Sequence, residues 1–234
     1  ALHPLRLEES RHAAAHGTAL ERGQEGARRA LALAQGCGPA CGPRRRSAER
    51  RPPAPALRAA SAAHGAPLGL IHIDAHCDTW ESSGPLDHGT MFLSAVNEGL
   101  LDVDHSIQVG LRTHNDIDVG IEVLTAPWVH RHGVDATLEA IRKRVGDRPV
   151  YLSFDIDVLD PAFAPGTGTP VSGGLASWQA LELIRGLGSL NMVAMDLVEV
   201  SPPYDHAEIT ALAAATVAYD WLCVMAQRRQ QGLW

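Results

Sequence analysis

Leu68-Gly-Leu-Ile-His-Ile-Asp-Ala-His-Cys-Asp78 joins a short apolar run to a charged cluster, and Val150-Tyr-Leu-Ser-Phe-Asp-Ile-Asp157, followed by Val-Leu-Asp160-Pro161, repeats the arrangement. Each apolar run has the length of a buried strand, so the carboxylates and the imidazole emerge at strand ends, where α/β sheets place ligands. Working outward, strand-like stretches at 68–73, 106–111, 120–124, 150–154 and 192–198 alternate with helix-like ones. The helices are expected at 89–101, at 135–145 with Leu138 and Ile141 inward, at 177–187 with Ser177 as its cap, and from about 207 to 228. Strands alternating with helices predict a mostly parallel sheet covered on both faces, an α/β fold.

The chain has 234 residues, 45% hydrophobic and 20% charged, the composition of one well-buried soluble domain. The apolar stretch from Ile209 to Ala218 is rich in Ala and Thr and reads as too short and too polar to span a bilayer, so no membrane partner is expected. The first twenty residues lack an apolar core after a basic start, so no secretory leader is expected and a cytoplasmic setting follows. Cys37, Cys41, Cys77 and Cys223 lack the paired spacing of a zinc ribbon and read as reduced and incidental. The net charge of −7 argues against nucleic acid as a partner and suits a cationic small molecule.

That charge is uneven. Residues 1–58 hold 11 Arg against 5 Asp or Glu, net +6, and the remainder is net −13. Residues 1–56 therefore read as a separate Ala, Arg, Gly and Pro rich segment, partly disordered, ahead of the main domain at 57–234. A helix over 13–35 would present mostly Ala and bury little, and 36–55 reads as a loop. The Arg44-Arg45-Arg46 run reads as a solvated patch, and no internal repeat is present.

On an extended strand, residues i, i+2 and i+4 share a face, so Asp74, His76 and Asp78 converge, as do Asp155 and Asp157. One cation rarely needs four carboxylates, whereas a bridged pair of divalent ions does. Oxygen and imidazole donors without a thiolate favour manganese or magnesium over structural zinc, and Cys77 should point away. Against this stands a plainer reading, in which Asp and His merely cap nearby backbone groups. Two further residues carry chemistry. His88, in Asp87-His-Gly-Thr-Met-Phe92, sits in a loop where a proton shuttle fits, and Glu199 ends another apolar strand, where its carboxylate can take a planar guanidinium by two parallel hydrogen bonds. Other histidines, including His105, His114, His130 and His132, read as structural.

These residues resemble the ureohydrolases, the group of arginase and agmatinase. The resemblance rests on Asp74-Ala-His-Cys-Asp78, Ser153-Phe-Asp-Ile-Asp-Val-Leu-Asp-Pro161, Ala164-Pro-Gly-Thr-Gly-Thr-Pro170 and Glu199-Val-Ser-Pro-Pro-Tyr-Asp205. Asp87-His-Gly-Thr-Met-Phe92 and Glu208-Ile-Thr-Ala-Leu-Ala-Ala-Ala215 are similar to the agmatinase branch, and the match runs from about Leu57 to Ala226. It implies an arginase-like three-layer α/β/α fold, assembled as a homo-oligomer, trimer or hexamer. It also implies two Mn2+ ions on Asp74, His76, Asp78, Asp155 and Asp157. The implied reaction hydrolyses a guanidino group to urea and an amine, agmatine giving putrescine. Glu199 and Thr169 then hold the guanidinium, Asp78 also orients the nucleophile, and His88 shuttles a proton.

The chain departs from that pattern upstream. A Gly-Gly-Asp-His motif supplying a sixth, histidine ligand is expected near 47–50 and is absent, and the family's opening strands have no counterpart in residues 1–56. Gly-Gly-Asp-His codons read one frame away give Arg-Arg-Pro, which stands at Arg50-Arg51-Pro52, so a shifted reading frame accounts for both departures. Three functional expectations follow: an agmatinase with impaired or manganese-hungry activity, an amidinohydrolase of guanidinobutyrate or another guanidino acid, or an inactive, partner-binding remnant. His64, at a helix end leading into a strand, reads as too far from the cluster to replace the lost ligand.

Overall fold

The computed structural model describes residues 55–81, 87–114 and 117–233. The expectations for 1–54, including the segment where the sixth ligand is sought and Cys37 and Cys41, lie outside the described residues. Helix α1 (Pro55–His64) leads into strand β1 (Gly69–Ile73), followed by helix α2 (Met91–Asn97) and strands β2 (Ile107–Leu111) and β3 (Glu122–Thr125). Then come helix α3 (Ala126–Val145), strand β4 (Val150–Asp155), helix α4 (Ser177–Gly186), strand β5 (Met192–Val198) and helix α5 (Ile209–Gln230).

The five strands form one sheet in the order β3-β2-β1-β4-β5, and every pairing is parallel. Every residue of β1, β2 and β4 is buried, which is why their sequences are apolar runs rather than alternations. At the edges, β3 exposes most of its residues and β5 is largely half-buried. Ile71, Ile73, Leu152 and Phe154 face Leu138 and Ile141 of α3, Leu183 of α4 and Val217 of α5 in one core. On the opposite face, Leu70 and Tyr151 pack with Leu57 of α1 and with Phe92 and Ala95 of α2. Three layers result, as expected. Each such large apolar side chain stabilises the fold by about 1.5–3 kcal/mol.

Several boundaries differ from the sequence reading, each for a local reason. Helix α3 begins at Ala126 because Thr125 Oγ1 accepts the Trp128 N–H at 3.3 Å, and Gly133 (φ 83, ψ 176) kinks it just before the predicted amphipathic part. At the start of α4, Ser177 is the first helical residue rather than the cap; Ala176 occupies the cap position and its N–H donates to Gln179 Oε1 at 2.9 Å. Helix α2 is shorter than predicted, and Gly99, at φ 70, follows it.

The expectation of a short polar stretch near the C-terminus is corrected. α5 runs 22 residues, and an 18-residue window within it has a mean hydropathy of 1.6, long and apolar enough to cross a membrane by length and composition. Its Ala214, Val217, Val224 and Met225 nevertheless pack in the core, and buried Arg228 donates to the Gly188 carbonyl at 3.0 Å. The opposite face leaves Leu212, Tyr219 and Leu222 exposed.

One glycine holds the sheet and the charged cluster in register. Gly110 of β2 sits at φ 100 beside an irregularity in the β2–β3 pairing, and a Cβ there would lie 2.5 Å from Val158 Cγ2 and 3.1 Å from the Asp74 carbonyl oxygen. Gly110→Ala is expected to cost about 3 kcal/mol, strain plus overpacking, and to lower Tm by ~10 °C in a thermal melt. Gly99→Ala, which meets nothing within 4 Å, should lose only the strain, about 1 kcal/mol.

Candidate active site

The candidate residues gather at the C-terminal ends of three adjacent strands. β1 delivers Asp74 to Asp78, β4 ends on Asp155 and passes into a turn at Ile156–Val158 carrying Asp157, and β5 leads to Glu199. Apart from Asp155, the last residue of β4, these candidate residues lie beyond the strands, which corrects the period-two argument. β1 ends at Ile73, and convergence comes from two matching turns. The His76 N–H donates to Asp74 Oδ1 at 2.6 Å, and the Asp157 N–H donates to Asp155 Oδ1 at 2.8 Å. The aspartates therefore do cap nearby backbone groups, as the plainer reading held, and those same bends turn the neighbouring side chains inward.

Asp74, His76 and Asp157 form one compact group, with His76 Nδ1 3.0 Å from Asp157 Oδ2 and 3.4 Å from Asp74 Oδ1. Asp74 and Asp78 form a second, together with His72. Asp155, Asp157, Asp78 and His76 all line one cavity of about 140 Å³, with Trp80, His88, Gly89, Thr169 and Glu199 around it. Asp78 and Glu199 hold left-handed backbone conformations, φ 52 and φ 63, a local cost of roughly 1–3 kcal/mol each of the kind that collects at functional sites.

The electrostatics are those of an under-neutralised carboxylate cluster. Burial would raise Asp74, but the neighbouring His72 and the N–H donors of His76 hold it below the ordinary carboxylate range. Asp78 is pushed up to about 8 by burial and by the Asp74 charge beside it. Burial, with Asp74 and Asp157 nearby, pushes Asp155 well above its usual value. His76 rises to about 10 because it is hydrogen-bonded to Asp157 and Asp74. Hard oxygen donors plus one imidazole, with negative charge in excess, fit divalent cations of the manganese or magnesium type.

The cavity rim is built by turns. Gly89 packs on the Trp80 ring, where a Cβ would meet Cε3 at 2.7 Å, and Trp80 Nε1–H donates to the His114 carbonyl at 3.3 Å. His88 is largely exposed, its Nδ1 3.6 Å from Glu199 Oε1. Thr169 lines the cavity with its hydroxyl donating to Asp157 Oδ2 at 3.1 Å. Asp160, part of the second motif, is a structural cap that accepts from the N–H groups of Ala162, Gly173 and Gly174. Those backbone donors hold its carboxyl below the ordinary range.

Three residues of this neighbourhood were not singled out from sequence. Arg112 donates to the carbonyls of Asp157 at 2.7 Å, Val171 at 2.7 Å and Val158 at 3.2 Å, bracing the Asp157 turn from behind. His72 and Gln108, buried in β1 and β2, connect to Asp74 and Cys77. Polar residues inside otherwise apolar strands were the available signal, because a buried polar group must find a partner. His64 is exposed at the end of α1, next to the start of β1 and away from the cluster, and free Cys77 is buried. His105, His130 and His132 bond to Asp102, the Gly173 carbonyl and the Trp128 carbonyl respectively.

Fold and site together define an arginase-like α/β protein with a carboxylate-rich cluster at its strand ends. Residues 53–223 match the model of the Arginase family, and the chain belongs to that family. It is 58% identical over 180 residues to an agmatinase of Chromobacterium violaceum, a match covering 76% of this chain and 56% of that one. A solved structure of a hypothetical agmatinase from Burkholderia thailandensis superposes with a TM-score of 0.73 at 60% identity, over 74% of this chain and 56% of that one. Proclavaminate amidino hydrolase from Streptomyces clavuligerus gives a TM-score of 0.70 at 46% identity, over 72% and 59% of the respective chains. The chain thus spans a little over half the length of these relatives.

Proposed function

We propose that this chain carries the metal-binding and substrate-binding half of a guanidino hydrolase whose substrate is agmatine, converted with water to putrescine and urea. The observation that carries this reading is the single cavity in which four cation-seeking side chains, Asp78, His76, Asp155 and Asp157, face Glu199 and His88. Divalent ions of the manganese type, held by Asp74, His76, Asp78, Asp155 and Asp157, would supply Lewis acidity and an activated water. Glu199, which follows β5 and lines the cavity, accepts the guanidinium by charge-assisted hydrogen bonds. His88, 3.6 Å from Glu199 and open to solvent, passes a proton to the leaving amine. Thr169 steadies Asp157 and forms the wall beside the guanidinium. Trp80 supplies an aromatic face for a cation.

The absent Gly-Gly-Asp-His leaves one ion on oxygen donors alone, so full activity should need high manganese. A partner-binding role has one supporting observation: β5 closes the described sheet with its residues only half-buried, an edge open to a further strand. The exposed apolar residues of α5 support self-association as a trimer or hexamer.

Urea release measured on agmatine, guanidinobutyrate and arginine tests the substrate directly, agmatine being the expected preference. Glu199→Gln removes the charge but keeps the shape. Its kcat/KM on agmatine should fall on the order of 100-fold, about 3 kcal/mol for a charge-assisted pair, with KM raised. Unchanged kinetics would remove Glu199 from the substrate site.

A further inference from the structure

His72 lies within β1, 1% exposed, where an imidazole needs a partner at both ring nitrogens. Its Nε2 is 2.7 Å from Asp74 Oδ2, and its Nδ1 is 3.1 Å from Gln108 Nε2. The same Gln108 nitrogen lies 2.6 Å from the Cys77 carbonyl oxygen. That contact settles the ring. A carbonyl oxygen only accepts, so the amide group facing it is the NH2, and the second hydrogen of that NH2 points at Nδ1. Nδ1 therefore offers its lone pair, and the ring proton sits on Nε2, directed at Asp74. Phe92 packs against the imidazole with ring centroids 4.5 Å apart, closing the site to water.

Asp74 Oδ2 thus accepts the His72 N–H and Oδ1 the His76 backbone N–H, with His76 Nδ1 also 3.4 Å from Oδ1. The carboxylate is held against rotation, and a lone pair of Oδ2 is left for the cluster. His72 falls in a compact group with Asp74 and Asp78, but both its nitrogens are engaged, so it does not stand in for the missing sixth ligand. We propose that His72, locked by Gln108, is a positioning residue that aims Asp74 at the metal centre. The proposal rests on the reading of the cluster as a cation site.

Manganese titrated calorimetrically into metal-stripped protein tests it, with His72→Leu and His72→Gln beside the parent. Loss of an outer partner of a ligand typically weakens metal binding about 10–100-fold, which is the fall expected for His72→Leu. The His72→Gln amide reaches the same carboxylate oxygen and should recover affinity to within about threefold of the parent, the usual spread of context effects on one contact. Equal affinity for His72→Leu and the parent overturns the proposal, as does a His72→Gln as weak as His72→Leu. Imidazole 15N spectra of the metal-free parent need no variant: protonation at Nε2 with Nδ1 bare is expected, and a proton on Nδ1 overturns the relay. If the parent shows the expected ring yet binds no manganese, the cation-site reading fails and the role of His72 reduces to packing, which also overturns the proposal.

Discussion

Asp157→Asn is expected to abolish urea release to within on the order of one part in 1000, with manganese binding weakened in parallel. Asp157 is the residue on which the site converges. Its Oδ1 accepts the Ala75 N–H at 3.2 Å, and its Oδ2 meets both His76 Nδ1 at 3.0 Å and the Thr169 hydroxyl at 3.1 Å. Asparagine keeps the shape and an acceptor oxygen but removes the charge that a cation requires. Metal-derived charge stabilisation is worth several kcal/mol, which at 1.36 kcal/mol per tenfold gives a loss of about 10³-fold. Urea assay and manganese titration of the same preparation check it. The metal-free variant should melt near the parent, because the core behind the turn, Phe154, Ile156 and Val158, is untouched. A variant that binds manganese normally yet is inactive would move Asp157 out of the ligand set.

Metal-free protein should become less stable as pH rises from about 5 to about 9, and manganese should reverse the trend. The sign follows from three groups. Asp78 has a folded-state pKa of about 8 against an ordinary 3.8, so between those values the folded chain holds a proton that the unfolded chain has lost, and stability falls with rising pH. Asp155, also pushed up, acts in the same direction. His76, raised from 6.5 to about 10, contributes stability fully below 6.5 that is lost as pH climbs through 10. Asp74, held low, contributes stability above 3.8 that is lost only as pH falls towards its depressed value. At 1.36 kcal/mol per pKa unit, the full Asp78 shift from 3.8 to about 8 sets an upper figure of about 6 kcal/mol, a Tm decrease of ~10 °C or more. Bound divalent ions would replace the protons, so manganese affinity should rise with pH. Thermal melts at several pH values, with and without manganese, measure both effects; a metal-free Tm that rises from pH 5 to 9 would show that the cluster is not under-neutralised.

The sheet was legible because its central strands are buried on both faces. Leu68 to Ile73 and Val150 to Phe154 are mostly apolar runs interrupted only by His72 and Ser153, as strands of a parallel sheet covered by helices read. The residues that gather around the cavity were legible, but not the geometry that gathers them. Asp74, His76 and Asp78 were expected to share a face of an extended strand, whereas side-chain-to-backbone turns bring them together, and such bonds carry no periodicity. Arg112, His72 and Gln108 escaped the reading for a related reason. Most of their contacts span long stretches of sequence, Arg112 to Asp157 and Gln108 to both His72 and Cys77, and an isolated polar residue in a strand says that a partner exists without saying where. Helix ends were misjudged where one side chain decides them: Thr125 at α3, and Gln179 rather than Ser177 at α4.

The central claim is that the Asp74–Asp78 and Asp155–Asp157 loops together form a cation centre that hydrolyses a guanidino group. Urea released from agmatine by the metal-stripped chain, measured as manganese is titrated in, addresses it most directly. No urea without metal is predicted, then a rise with manganese that continues past the first bound ion as the weaker, oxygen-only site fills. Turnover that is undiminished in the metal-stripped chain, or urea absent at every manganese concentration from a folded protein, would contradict the account.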